Sequence, residues 1–179
     1  MKKSLWIYLA LLALAALTLG LVGCQNAANQ DYLRLHIRAN GDSDAEQAVK
    51  LAVRDAVVAY LTPMATKVRS KEEMRTLLSA HLDEVVSVAD EVLEAEGYAY
   101  RATAYFSRED FPTRTYGELT LEAGVYDALI VELGSGEGAN WWCVAFPPLC
   151  FVEGTKTGSD TVQYRSAIAD WFRRHTDND

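Results

Sequence analysis

Cys143 and Cys150 bracket an apolar run containing Pro147-Pro148, in the stretch NWWCVAFPPLC. A cysteine pair of this kind could supply a nucleophile, a metal clip or a disulfide. Zinc wants four ligands at suitable spacing, and His36, His81 and His175 are scattered along the chain. Redox couples are more often spaced Cys-x-x-Cys. A thiol nucleophile needs a histidine delivered by the fold, which sequence does not show. In an exported chain two nearby cysteines are usually oxidised. A Cys143–Cys150 disulfide is therefore the first reading; two buried free thiols packing as small hydrophobes are the alternative. Closing so short a loop constrains the unfolded chain by about 2–3 kcal/mol and would hold the proline bend in one shape.

His36 is the second candidate. It lies between Arg34 and Arg38, with Asp42 close by in sequence, and a histidine so placed is a candidate neutral base. No activated nucleophile accompanies it, since neither G-x-S-x-G nor H-E-x-x-H occurs. The plainer reading is a basic strand face turned to solvent or to a partner. Asp110, Glu118, Asp127 and Glu132 could form an acid/base pair, but a chain with 25 acidic residues offers such pairs by chance. The expectation is no catalytic residue, no metal site and no cofactor. Binding is better supported. Trp141 and Trp142 on a strand point to opposite faces, tryptophan is a favoured interface anchor, and a pinned bend beside it loses little entropy on docking. The alternative is that Trp141, Trp142, Pro147 and Pro148 fill the core.

Several elements must position these groups. The 179 residues suit one globular domain, and a net charge of −8 argues against nucleic acid as a partner. Residues 1–24 carry Lys2 and Lys3, an apolar run from Leu5 to Val22, and Gly23-Cys24. This is an export signal, first read as a lipoprotein type with Cys24 as the lipidated residue. An uncleaved anchor or a plain secretory signal are the alternatives, and all three put residues 25–179 outside the cytoplasm. Residues 25–31 read as a polar tether, 32–175 as the globular domain and 176–179 as a frayed tail.

Within the domain, Leu33, Leu35, Ile37 and Ala39 alternate with Arg34, His36 and Arg38, a strand with one face in the core. Asn40-Gly41-Asp42-Ser43 is a turn, and Ser43 with Glu46 is a capping box opening a helix that Pro63 should end near Thr62. Ser70 with Glu73 opens a second helix, expected to run from Lys71 to about Glu96, with His81 as a partly buried core histidine. Strands are expected over 98–106, 114–121, 125–133 and 141–146. Gly134, Gly136 and Gly138 lie in what reads as a β-hairpin loop, and Val162–Arg174 reads as a last helix. The order β-α-α-β-β-β-β-α predicts an α+β fold: an antiparallel or mixed sheet with helices packed on one face.

Two stretches, LRLHIRANGDSDAEQAVKLAVRDAVVAYL (Leu33–Leu61) and FPTRTYGELTLEAGVYDALIVELGSGEGANWWCVAFPPLCFVE (Phe111–Glu153), closely resemble the stage II sporulation protein R family of endospore-forming bacteria. The motifs are the HIRAN-x-D-S turn, K-x-x-VRDAV, FPT-x-TYG and NWWCV-x-FPPLCF, and the match covers most of residues 32–153. The resemblance implies a sporulation signalling protein, not an enzyme. It would be exported to the outer face of the forespore membrane, in the space between forespore and mother cell. There it would activate a membrane-embedded aspartic protease of the mother-cell membrane, so that the early mother-cell sigma factor precursor is processed. Arg34, His36, Arg38 and Asp42 are expected as a polar contact surface, and Trp141 or Trp142 with the Cys143–Cys150 bend as an apolar one. An envelope or cell-wall hydrolase using His36, or a structural envelope lipoprotein, are the competing classes. Two features depart from the family pattern: Gly41 stands where serine is expected, and Leu21-Val22-Gly23-Cys24 suggests a membrane tether through lipid or an N-terminal anchor.

Overall fold

The computed structural model describes residues 31–117 and 119–151. The expected signal with Cys24, the tether up to residue 30, Glu118, the helix over Val162–Arg174 and the tail lie outside the described residues. Among the described residues no helix is long and apolar enough to cross a membrane.

The chain runs β1 (Leu33–Arg38), α1 (Asp44–Ala65), α2 (Lys71–Ala80), α3 (Leu82–Ala95), β2 (Ala102–Phe111), β3 (Arg114–Tyr116), β4 (Leu119–Leu121), β5 (Gly124–Leu133) and β6 (Asn140–Phe146), then a 3₁₀ turn at Leu149–Phe151. The four-stranded sheet has the order β2-β5-β1-β6, while β3 and β4 pair only with each other. β1 is parallel to β5 and antiparallel to β6, and β2 is antiparallel to β5. A mixed sheet covered by helices on one face is thus the α+β architecture expected.

Several elements differ from the expectation, among them the strand expected over 98–106, which runs Ala102–Phe111. α1 continues past Pro63 to Ala65 because its last turn is held from outside, with Leu61 and Ala65 fully buried in the core; within the helix, Thr62 Oγ1 donates to the Val58 carbonyl at 2.6 Å. The expected single helix over 71–96 is two, since His81 leaves helical geometry at φ −118°, ψ 21°. Its Nδ1 meets the Tyr60 hydroxyl at 2.9 Å. The apolar stripe runs through the break, so periodicity alone does not reveal it. Finally, 114–121 is a hairpin of two strands. Both serines cap their helices, with Ser43 Oγ accepting from the Glu46 amide at 3.2 Å and Ser70 Oγ from Glu73 at 3.1 Å, but the glutamates do not complete the boxes: Glu46 takes Asn40 and Tyr100, and Glu73 takes the Arg69 N–H.

The helix-side core joins Leu33, Leu35 and Ile37 of β1 and Leu129, Val131 and Leu133 of β5 to Val53, Val57, Leu78, Val85, Ala89 and Leu93 of the helices. On the opposite face a smaller cluster, Phe111, Tyr116, Leu121, Tyr126, Ile130, Val144 and Leu149, is closed by the β3–β4 hairpin. β1 is therefore covered on both faces.

The segment 134–139 is not a hairpin loop, because β1 lies between β5 and β6. It crosses the end of β1 and is fastened to the turn that follows. Gly138 N–H donates to the Ala39 carbonyl at 2.8 Å, Ala139 N–H to Asp42 Oδ1 at 2.6 Å, and Ser135 N–H to Asn40 Oδ1 at 3.0 Å. Lys50, 4% exposed, reaches over from α1 to the Ala139 carbonyl at 3.0 Å. Burial, and then Arg54, pull its ammonium below the ordinary lysine range, with Asp42 opposing. A Cβ at Gly138 would stand 2.6 Å and 2.7 Å from Gly41 C and N, so glycine is required there by backbone approach. At Gly41 a Cβ would make ordinary 3.6 Å contact with Glu46; the serine expected at that position would fit.

Gly138→Ala should push the two loops apart and lower stability by about 1–3 kcal/mol, read from the urea midpoint. An unchanged midpoint would show that the loops separate freely.

Candidate functional site

Because β1 is buried on both sides, its alternate residues Arg34, His36 and Arg38 lie in a polar layer between the sheet and its second cover. Buried polar groups must find partners, and those partners define the site.

Arg34 is fully buried. Its Nε donates to the Cys143 carbonyl at 3.1 Å and its Nη2 to the Tyr116 hydroxyl at 2.8 Å. The guanidinium carbon stands 4.4 Å from the Phe111 ring centroid, 5.0 Å from Tyr126 and 5.6 Å from Tyr116. Among the described residues no carboxylate pairs with it, and Nη1 is without a partner. Burial pulls its pKa below the ordinary arginine value, opposed by Tyr116 and Tyr126, but arginine stays charged. The aromatic faces supply the negative potential that a carboxylate usually would.

His36 is 5% exposed. Its Nδ1 is 3.0 Å from Glu109 Oε2 and its Nε2 is 2.9 Å from Asn140 Oδ1. A carboxylate only accepts, so Nδ1 carries a proton. The ring stacks on Trp142 at 5.6 Å and 27°. Arg38 donates to Glu109 Oε1 and Glu132 Oε1, each at 2.6 Å. Burial lowers its pKa, but the carboxylates outweigh this and the net shift is upward. The Tyr105 hydroxyl also donates to Glu132, at 2.8 Å; burial, then that bond, raises the phenol. Side chains from all four strands of the main sheet thus join one network.

Over the network opens a depression of about 470 Å³, with His36 and Glu109 within it, Trp142 along it, and Asp110, Glu137 and Asn140 exposed around it. Both ring nitrogens of His36 are already engaged. Among the described residues no group of three or more His, Cys, Asp and Glu is placed to hold a metal.

Cys143 and Cys150 form a disulfide with Cα atoms 6.0 Å apart. The Phe146–Pro147 peptide between them is cis. Trp141 and Trp142 take opposite faces: Trp141 packs on the helix-side core, with Arg54 at 5.5 Å from its ring. Trp142 packs on the second cluster, with Arg114 at 4.4 Å over its ring.

The expected contact residues divide by burial. Asp42 is exposed and Arg38, Trp141 and Trp142 are partly so, while Arg34, His36, Pro147 and Pro148 are buried. A buried side chain offers no surface to a partner, so these four act from behind the surface. The reason for Arg34 and His36 is the second cover, which periodicity cannot foresee: it shows that residues alternate, not whether both faces are closed. Asp42 also serves the turn, through Ala139. Glu109, Asn140 and Tyr116 are the residues that sequence reasoning missed. The available signal for Glu109 was a carboxylate at a strand position facing the three basic residues of β1, but only the sheet order brings them together. Of the carboxylates considered for acid/base work, Glu132 pairs with Arg38 and Asp127 with Lys71 on the helix side at 2.7 Å, so they do not face each other.

The family model for stage II sporulation protein R matches residues 29–156, nearly the same span as the described domain. The chain belongs to the stage II sporulation protein R family. A relative in the family, the stage II sporulation protein R of Bacillus subtilis (strain 168), is 40% identical over 164 residues, covering 86% of this chain and 73% of the relative. No solved structure matches the chain. Stage II sporulation protein R family members signal and do not catalyse. The polar layer is accordingly read as scaffold and surface.

Glu109→Gln offers one acceptor oxygen where the Arg38 guanidinium and the His36 ring each meet a carboxylate oxygen. It should cost about 1–2 kcal/mol, the lower part of the range for charged hydrogen bonds because the pair is partly exposed. Equal urea midpoints for the two proteins would show that the layer contributes nothing to stability.

Proposed function

We propose that this chain is an exported sporulation signal. From the space between forespore and mother cell it activates a membrane-embedded aspartic protease of the mother-cell membrane, so that the early mother-cell sigma factor precursor is processed. The observation that carries this reading is the family match over residues 29–156, which spans the helices, the sheet and the disulfide-closed bend together. An oxidised Cys143–Cys150 pair suits an extracytoplasmic setting. Lipid at Cys24 would tether the chain to the outer face of the forespore membrane and raise its effective concentration in the narrow gap.

Activation needs no chemistry in the activator. A rigid surface that binds the protease's active form better than its inactive form shifts the population toward activity. The accessible part of the expected surface is Arg38 and Asp42 with Trp142, and Trp141 on the other face. Trp142 is the strongest anchor: it is partly exposed, backed by His36, and lies on the strand that the Cys143–Cys150 bridge ties down. The bend braces this strand from inside, since Pro147 and Pro148 are buried.

A strain lacking the chain should leave the sigma factor precursor unprocessed, and a copy without residues 1–24, held in the cytosol, should not restore processing. Restoration by the cytosolic copy would sink the reading. Trp142→Ala in the full chain, reconstituted beside the protease in vesicles, should slow processing by about tenfold or more with its melting transition retained; a folded variant that works at the normal rate removes Trp142 from the contact.

A further inference from the structure

The two edges of the main sheet are built differently. β6 is seven residues long, its pairing with β1 is irregular at Leu33–Arg34, and the disulfide-closed bend with its buried prolines follows it. Short strands, bulges and prolines keep a sheet edge from pairing with another chain. β2 has none of these. Its ten residues contain no proline, glycine or lysine, and its register with β5 runs unbroken from Ala102 opposite Leu133 to Phe111 opposite Gly124. The pairing also fixes which backbone groups face outward. Gly134 N–H donates to the Arg101 carbonyl at 3.0 Å, so Arg101 and every second residue after it turn toward β5. Ala102 turns away, and its N–H goes to Asp90 Oδ1 of α3 at 2.7 Å. Beyond that point Ala104, Phe106, Arg108 and Asp110 present N–H and C=O along the outer edge, where among the described residues β2 has no neighbouring strand. The side-chain charges do not close this edge: Arg108 lies 3.8 Å from Asp127, and Glu109 is held by His36 and Arg38.

We infer that two copies of this chain pair through β2, edge to edge and antiparallel about Ser107. The open stretch runs from Ala104 to Asp110, and Ser107 is its midpoint. An antiparallel neighbour satisfies the outward groups only where outward residues face each other. With the two-fold axis at Ser107, Ala104 faces Asp110 of the second copy and Phe106 faces its Arg108, so every open residue is used in both directions. An axis at Arg108 would set Arg108 against itself, and like charges directly opposite are destabilising. An axis at Phe106 would bring Asp110 against Ala102, whose N–H is already taken by Asp90. The Ser107 register instead lays a guanidinium beside the Phe106 ring, which already carries the Arg75 guanidinium at 4.7 Å. A second copy is thus the occupant that this stretch fits by its own symmetry. The axis stands normal to the sheet, so both helix layers lie on one side and both Trp142 surfaces on the other. The inference does not rest on the function proposed above.

The test uses the full chain in detergent micelles. Sedimentation equilibrium at matched detergent density, over a rising concentration series, should report two copies per complex. The Arg108 N–H points away from β5, so a proline there removes an outward donor and leaves the β2–β5 pairing intact. Arg108→Pro should weaken association by about tenfold or more, with its melting transition retained. Ser107→Cys reads the register independently. Ser107 faces its own counterpart in a non-hydrogen-bonded pair, with Cα atoms about 4.5 Å apart and within disulfide reach. On oxidation Ser107→Cys should give a covalent dimer that the parent chain does not, whereas Tyr105→Cys, facing Glu109 of the second copy, should not. The inference is overturned if the parent stays single-copy throughout the series, the result expected if the edge receives a strand of another protein or residues 152–179 of this chain. It is also overturned if Arg108→Pro folds and associates as the parent does, if the parent pairs but Ser107→Cys does not link, or if Tyr105→Cys links as readily. Should Arg108→Pro fail to fold, the sedimentation of the parent and the two cysteine variants decide alone.

Discussion

β1 is buried on both faces, and most of the molecule follows from that one constraint. A strand with period two delivers three apolar residues to one side and three basic ones to the other. Leu33, Leu35 and Ile37 meet the helices, as an ordinary half-buried strand would require. Arg34, His36 and Arg38 meet a second cover, and each charge or polar atom placed there must be matched or it costs stability. The chain answers in two ways. Glu109 and Glu132 match Arg38, and Glu109 with Asn140 holds His36. Arg34 is held by three aromatic rings, a phenol hydroxyl and a carbonyl. The β3–β4 hairpin is bound to the sheet partly through that guanidinium, by way of Tyr116.

The same central strand explains the loops. Since β1 separates β5 from β6, the segment joining them must pass across the strand's end and over the turn that leaves it. Asn40, Gly41 and Asp42 receive that segment, and Gly138 lets the two backbones touch. A motif that reads as a contact surface is in large part a clasp. It sets where Asn140 begins β6, hence where Trp142 stands against His36, and so it positions the accessible surface without forming much of it.

A signalling domain of this construction works by being stiff. The disulfide ties the middle of β6 to the 3₁₀ turn, the buried prolines fill the bend, and the polar network runs across every strand of the main sheet. Such a network holds both nitrogens of His36 and keeps the neighbouring surface in one shape. That is consistent with a protein whose family signals without catalysing.

Much of this was legible in the residues. The alternation of β1, the serine N-caps of both helices, the opposite faces of Trp141 and Trp142, the Cys143–Cys150 bridge and the α+β class all follow from spacing and side-chain chemistry, which act over a few residues. The motifs were also specific enough to point to the family. The break at His81, the survival of α1 beyond Pro63 and the split of 114–121 were not legible, because each is decided by a distant contact. The larger gap concerns Arg34 and His36. Sequence alone determined that they share a face of a strand; only the tertiary structure decided that this face is closed. Solvent exposure is set by what packs on top, here Phe111, Tyr116 and Tyr126 from far along the chain, and a local pattern contains no information about which distant element covers it.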